Sequence, residues 1–118
     1  MLKTKKEFTI YVCLKPIDMR KSIDGLLVLV VEYLKGNPQS GDLFLFCNRA
    51  RKKMKGIYWD KNGFMLLYKR LEKGAFKFPD NIAEGQISIG EKELQWLLSG
   101  FHFSEMSAYP ELDFTDYF

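Results

Sequence analysis

Asn62-Gly63 stands between two runs rich in aromatic and branched residues, Ile57-Tyr58-Trp59-Asp60 and Phe64-Met65-Leu66-Leu67-Tyr68-Lys69. Asn-Gly in this setting is the strongest short-range hairpin signal, because both residues tolerate the positive φ that tight turns demand. The pattern predicts an antiparallel hairpin over residues 57–69. Two connections fit it, a two-residue turn and a longer turn with a glycine bulge. The choice matters, since a slip of one residue exchanges the two faces of a strand.

Other segments supply what such a hairpin needs to pack against. Phe8, Ile10, Val12 and Leu14 alternate, as a half-buried strand requires, and Pro16 ends the run because proline has no amide for a ladder. Ile23, Leu26, Leu27, Val30, Val31 and Leu34 recur at spacings of three and four and form one apolar stripe. They predict a helix over about 18–35, capped by Asp18 or Ser22 and stopped by Gly36-Asn37-Pro38. Leu43-Phe44-Leu45-Phe46-Cys47 is apolar on both faces and predicts an interior strand. Ile87-Ser88-Ile89 suggests a short strand. Residues 91–99 read as a short helix with acids in its first turn, where the dipole favours them, and Gly100 at its end. Pro79 and Asp80-Asn81 lie in a looser stretch. The fold class is α+β: a small, mostly antiparallel sheet with a central hairpin, one longer helix packed on it and a short C-terminal helix.

A chain of 118 residues has the length of one domain. At that size about two-thirds of the chain surface leaves water on folding. Residues 1–100 are expected to form the domain, and residues 101–118 an acidic, aromatic tail. Cys13 and Cys47 lie in apolar strands and read as reduced core thiols. A disulfide would require their strands to be neighbours. Residues 1–6 are basic, but the apolar run after them is too short for a signal peptide, and no stretch is long enough to span a bilayer. A cytoplasmic protein is expected, with no membrane partner.

Several chemistries lack their residues. His102 is the only histidine, and with two distant cysteines it cannot complete a zinc site. Asp18, Asp24, Glu32, Asp42, Asp60 and Glu72 are scattered over cap, turn and exposed-helix positions rather than clustered for two-metal phosphoryl chemistry. Ser22 and Ser40 have no histidine to activate them, and no glycine-rich phosphate loop is present. No enzyme, metal, cofactor or small-molecule substrate is expected.

Charge is the remaining signal. Residues 1–78 hold seventeen Lys/Arg against seven Asp/Glu, whereas residues 79–118 hold one Lys against eight acids. An electropositive body with an acidic end suits a polyanionic partner, although an ordinary charged surface is the alternative. Arg49, Arg51, Lys52, Lys53 and Lys55 fall within seven residues, close to Tyr58, Trp59 and Phe64. Cations neutralise phosphates and aromatic faces meet unpaired bases. The competing reading is a solvated loop with Tyr58 and Trp59 in the core. Arg20 and Lys21 form a second candidate, beside a helix N-terminus whose free amides favour phosphate. The competing reading has Asp18 as a cap only, with Arg20 paired to an acid nearby.

Three stretches carry a resemblance. They are Lys15-Pro16-Ile17-Asp18-Met19-Arg20-Lys21-Ser22-Ile23-Asp24-Gly25-Leu26, Gly41-Asp42-Leu43-Phe44-Leu45-Phe46-Cys47-Asn48-Arg49, and Ile57-Tyr58-Trp59-Asp60-Lys61-Asn62-Gly63-Phe64 running into Tyr68-Lys69-Arg70-Leu71-Glu72. With residues 87–100 they resemble the TnpB, or second-open-reading-frame, accessory proteins of insertion-sequence-66-type bacterial transposons. The resemblance implies a role in transposition beside a larger protein that performs strand transfer, and it brings no catalytic residues. Gly90 departs from the family pattern, in which Ser or Thr precedes the last helix. The end after Gly100 lies outside that pattern.

The expected function is non-catalytic assistance of transposition by contact with transposon ends. Arg49, Arg51, Lys52, Lys53 and Lys55 would meet phosphate, helped by Arg20 and Lys21. The rival is an adaptor that binds the transposase or another protein of the element without touching DNA.

Overall fold

The computed structural model describes residues 8–78 and 85–100. The basic residues 1–6, the stretch with Pro79 and Asp80-Asn81, His102 and the acidic tail lie outside the described residues.

Five strands and two helices follow in the order β1 (Ile10–Cys13), α1 (Ile23–Glu32), β2 (Leu43–Cys47), β3 (Lys53–Asp60), β4 (Gly63–Arg70), β5 (Gln86–Ile89) and α2 (Glu91–Ser99). They form an α+β fold with one sheet in the order β4-β3-β2-β1-β5. β1 and β2 are parallel, since α1 carries the chain back between them, and the other three pairings are antiparallel. All five residues of β2 are buried, as its doubly apolar sequence requires.

The sheet separates two apolar layers. On one face Cys13, Phe44, Phe46 and Ile57 pack against Leu26, Val30 and Leu34 from the α1 segment. On the other, Ile10, Val12, Leu43, Leu45, Cys47, Met54 and Tyr58 pack with Phe76, Phe78 and with Leu94 and Leu97 of α2. The alternation of Phe8, Ile10, Val12 and Leu14 survives intact, all four meeting the α2 layer. Cys13 and Cys47 therefore lie on opposite faces although their strands are neighbours, and both are free, buried thiols.

Three boundaries differ from the sequence expectation, each for a local reason. Asp18 does not cap α1. Its carboxylate accepts from the backbone N–H of Arg20 and from the Arg20 guanidinium, closing a turn before the helix. Ser22 holds the N-cap position with no side-chain capping bond. At the other end α1 stops at Glu32, short of the expected 35, and Lys35 takes the left-handed conformation at φ 58°. Gly36 is needed for space, because a Cβ there would lie 2.9 Å from Phe44 Cε1. In the hairpin, β3 begins at Lys53, so Lys53 and Lys55 are strand residues. The chain turns over Lys61 and Asn62, with Asp60 paired to Gly63. The positive φ falls on Lys61, and Asn62 N–H donates to the Asp60 carbonyl at 2.6 Å. This two-residue connection sets Trp59 opposite Phe64, ring centroids 5.0 Å apart and edge to face.

α2 shows what Gly90 changes. Glu93 Oε1 accepts from the Gly90 N–H at 3.0 Å, which is one half of a capping box. Glycine has no side chain for the reciprocal bond. Gly100 ends the helix at φ 89°, and Lys69 of β4 donates from Nζ to the Leu98 carbonyl at 2.8 Å. α2 has no basic residue in its own last turn. A cation at that carbonyl end is favourable, and β4 provides it.

Candidate nucleic-acid interface

Because β1 and β2 are parallel, their C-terminal ends meet at one end of the sheet. The chain leaves β1 there and crosses that end, with Ile17 N–H donating to the Cys47 carbonyl at 3.0 Å, before entering α1. It leaves β2 at the same end and turns through residues 48–52 into β3. The two basic segments, 20–21 and 49–55, are thus brought together by topology.

Asn48 organises the second segment. Its Oδ1 accepts from Lys52 N–H at 3.0 Å and Lys53 N–H at 3.1 Å, and its own carbonyl accepts from Arg51 N–H. Arg51 takes the left-handed conformation, φ 60°, which a non-glycine residue holds only when its surroundings enforce it. Here they do. Phe76 N–H donates to the Arg51 carbonyl at 2.6 Å, and the guanidinium carbon sits 4.2 Å from the centre of the Phe78 ring. A guanidinium over an aromatic face is attracted by the ring quadrupole and keeps its charge.

The lysines divide by direction. Lys52 Nζ donates to the Gly74 carbonyl at 2.8 Å. Lys55 Nζ donates to the carbonyls of Met19 and Lys21, both at 2.7 Å, and so joins the two basic segments. Lys53 and the exposed residues Arg49 and Lys21 have no side-chain partner among the described residues. A carbonyl positions an ammonium without cancelling its charge, whereas a carboxylate does cancel it. Among the described residues only Arg20, of the seven cations named from the sequence, has a carboxylate against it: Asp18 at 2.7 Å. The Arg20 guanidinium holds the Asp18 carboxyl down to about 2, and Arg20 is itself pushed upward by that carboxylate. The end of the sheet is therefore a concentrated positive surface whose members are mostly held in place but not neutralised.

Sequence reasoning missed two residues of this surface. Counting outward from the Asp60–Gly63 pair sets Lys55 opposite Tyr68 and Lys53 opposite Arg70. That register was readable only once the turn was settled. Lys55 Nζ lies 6.0 Å from the Tyr68 ring centre, and Arg70 pairs with Glu72 at 2.8 Å. Trp59 is half-buried beside Phe64.

No group of three or more His, Cys, Asp or Glu side chains among the described residues could hold a metal ion. No described helix is long and apolar enough to cross a membrane. An apolar groove of about 320 Å³ opens on the α2 face of the hairpin, lined by Met54, Met65, Leu67, Leu94 and Leu98 among others.

The sequence matches the family described as IS66 Orf2 like protein over residues 8–108. Two similar proteins come from Sinorhizobium fredii. Uncharacterized protein y4jC is 31% identical over 110 residues, covering 93% of this chain and 93% of that protein. Uncharacterized protein y4hO is 36% identical over 100 residues, covering 85% of this chain and 86% of its own. No solved structure matches.

Proposed function

This chain belongs to the IS66 Orf2-like family, and on that premise we propose that it assists transposition by holding transposon DNA against the basic end of its sheet. Membership gives the process, an accessory role in the transposition of IS66-type elements. The molecular act is read from the surface. Arg49, Lys53 and Lys21 reach outward to phosphate, while Arg51, Lys52 and Lys55 add charge from fixed positions. Arg20 contributes less, because Asp18 offsets it. The protein works without catalysis, in the cytoplasm, beside the transposase and other proteins of the same element.

The observation that carries this reading is the Lys55 clasp on Met19 and Lys21. It holds like charges together at the N-terminal end of α1, where the helix dipole adds further positive potential. Such a concentration is unfavourable by itself and is relieved by an anion. Phosphate contacts of this sort release counterions, so affinity falls steeply as salt rises.

A titration of labelled duplex from a transposon end, repeated across salt concentrations, tests the proposal. Replacing Lys21, Arg49 and Lys53 with Gln should weaken binding and flatten the salt dependence by about 0.9 in slope per lost phosphate contact. The loss should be similar on unrelated duplex, because phosphate contacts carry no sequence information. Unchanged affinity and slope, together with lost transposition, would favour the adaptor. The groove between α2 and β4 is what supports that second reading, since its apolar lining suits a protein segment.

A further inference from the structure

We infer that this surface also takes single-stranded DNA, and that Tyr68 is the platform on which an unpaired base stacks. The inference rests on the DNA-contact reading above and specifies its substrate. β4 is the outermost strand of the sheet, and of its residues only Phe64 packs into the layer beneath α1. Further along that face Leu66 is 38% exposed and Tyr68 55% exposed. Side chains alternate along strands, so four successive cross-strand pairs share one face of the hairpin, with Ile57 buried under α1 and Leu66 and Tyr68 open. From the turn outward these are Trp59 with Phe64, Ile57 with Leu66, Lys55 with Tyr68, and Lys53 with Arg70. The strip runs from aromatic and apolar at the turn to cationic at the open end. Tyr68 stands at the junction, with the Lys55 ammonium 6.0 Å from its ring centre.

That order suits one class of ligand. An unpaired nucleotide brings a flat π-face and a phosphate together, and single-strand binders pair aromatic platforms with a cationic track for this reason. A duplex hides its base faces, so the open ring of Tyr68 would have nothing to stack on. Lys53, Lys55 and the nearby Lys21 supply the track, whereas Arg70 is offset by Glu72. Lys55 is held by its two backbone carbonyls, so the charge beside the ring is fixed in place before any ligand arrives.

The test compares binding of a labelled single-stranded oligonucleotide and of the duplex of the same sequence to the full chain. Tyr68→Ala should weaken single-strand binding roughly tenfold and leave duplex binding within about twofold. Tyr68→Phe, which keeps the ring, should retain single-strand affinity, and melting temperatures of both variants should stay near that of the parent. Equal loss on both DNA forms, or no loss on the single strand, overturns the inference. Parent protein that binds duplex but not single strands overturns it while leaving the DNA-contact reading intact. Parent protein that binds neither overturns both. If Tyr68→Ala retains single-strand affinity yet no longer retains proteins of the element in a pull-down, the strip is a protein-docking surface and the inference fails.

Discussion

Lys55 donates from Nζ to the backbone carbonyl of Lys21 at 2.7 Å, across thirty-four residues of sequence. A lysine on β3 is thereby fastened to the turn that leads into α1, and the same ammonium also holds the Met19 carbonyl. The bond fixes the direction in which α1 leaves the end of the sheet, and it keeps two basic segments within one patch.

Lys55→Met should therefore cost stability as well as charge. It removes two charge-assisted bonds and leaves two partly exposed carbonyls to find water, a loss of about 1–3 kcal/mol. Lys53→Met, on the same face two residues earlier and without a side-chain partner among the described residues, should change stability by less than about 0.5 kcal/mol. Chemical denaturation of the two variants side by side makes the comparison. Equal losses would mean that the clasp does not hold α1.

The two thiols should be inert in the folded protein. Burial pushes the Cys47 thiol up to about 11 and raises Cys13 as well, so little thiolate forms near neutral pH. A folded value above the ordinary one stabilises the protein fully below the ordinary thiol pKa, and that contribution is lost as pH rises through about 11. Alkylation followed by mass spectrometry should show modification only after denaturant is added. Oxidation should not join the pair within one molecule, since the two residues face opposite layers.

Gly90→Ser should stabilise α2. The backbone of Gly90 is already extended, at φ −89°, and suits serine. Its hydroxyl could complete the capping box that Glu93 half forms, worth a few tenths of a kcal/mol over glycine. The new Cβ would lie 2.8 Å from Glu93 Oε1, the far end of a flexible side chain that can move. A small rise in melting temperature is expected. A fall would mean that Glu93 cannot give way.

The sequence exposes those parts of this fold that depend on local periodicity. The hairpin is legible because its two strands are joined by two residues and each carries its own alternation. β2 is legible because both of its faces are apolar, and α2 because acids and a glycine mark its ends. Pairings between distant segments are not legible. Nothing in the β1 segment announces that its neighbours are β2 in parallel and β5 in antiparallel, so the opposed faces of Cys13 and Cys47 could not be foreseen. The candidate surface divides the same way. Charge density pointed to 49–55 and 20–21, but their union depends on Lys55 reaching carbonyls far away in sequence. A pairing of Arg20 with a nearby acid was one of two open readings, but the acid is Asp18 itself, so Asp18 is not the cap and α1 starts later than expected.

Asp18 also sets a limit on the charge of the surface, and removing it should strengthen DNA binding. Its carboxylate pairs with an Arg20 whose side chain is 91% exposed, so the guanidinium is well placed to meet a phosphate once released. Asp18→Asn keeps an oxygen able to accept the Arg20 backbone N–H, which preserves the turn, but it removes the negative charge. Affinity for DNA at low salt should rise, and the salt slope should steepen by up to about 0.9 if Arg20 gains one phosphate. Acid should not reproduce this effect in the ordinary range. The Asp18 carboxyl is held near 2 by Arg20, so the pair is intact above the ordinary carboxylate value and is lost only as pH falls through about 2. Binding measured from neutral pH down to about pH 4 should therefore show no gain traceable to Asp18. If Asp18→Asn left both affinity and slope unchanged, Arg20 would stand outside the DNA contact, and the interface would reduce to Lys21 with the basic residues of 49–55.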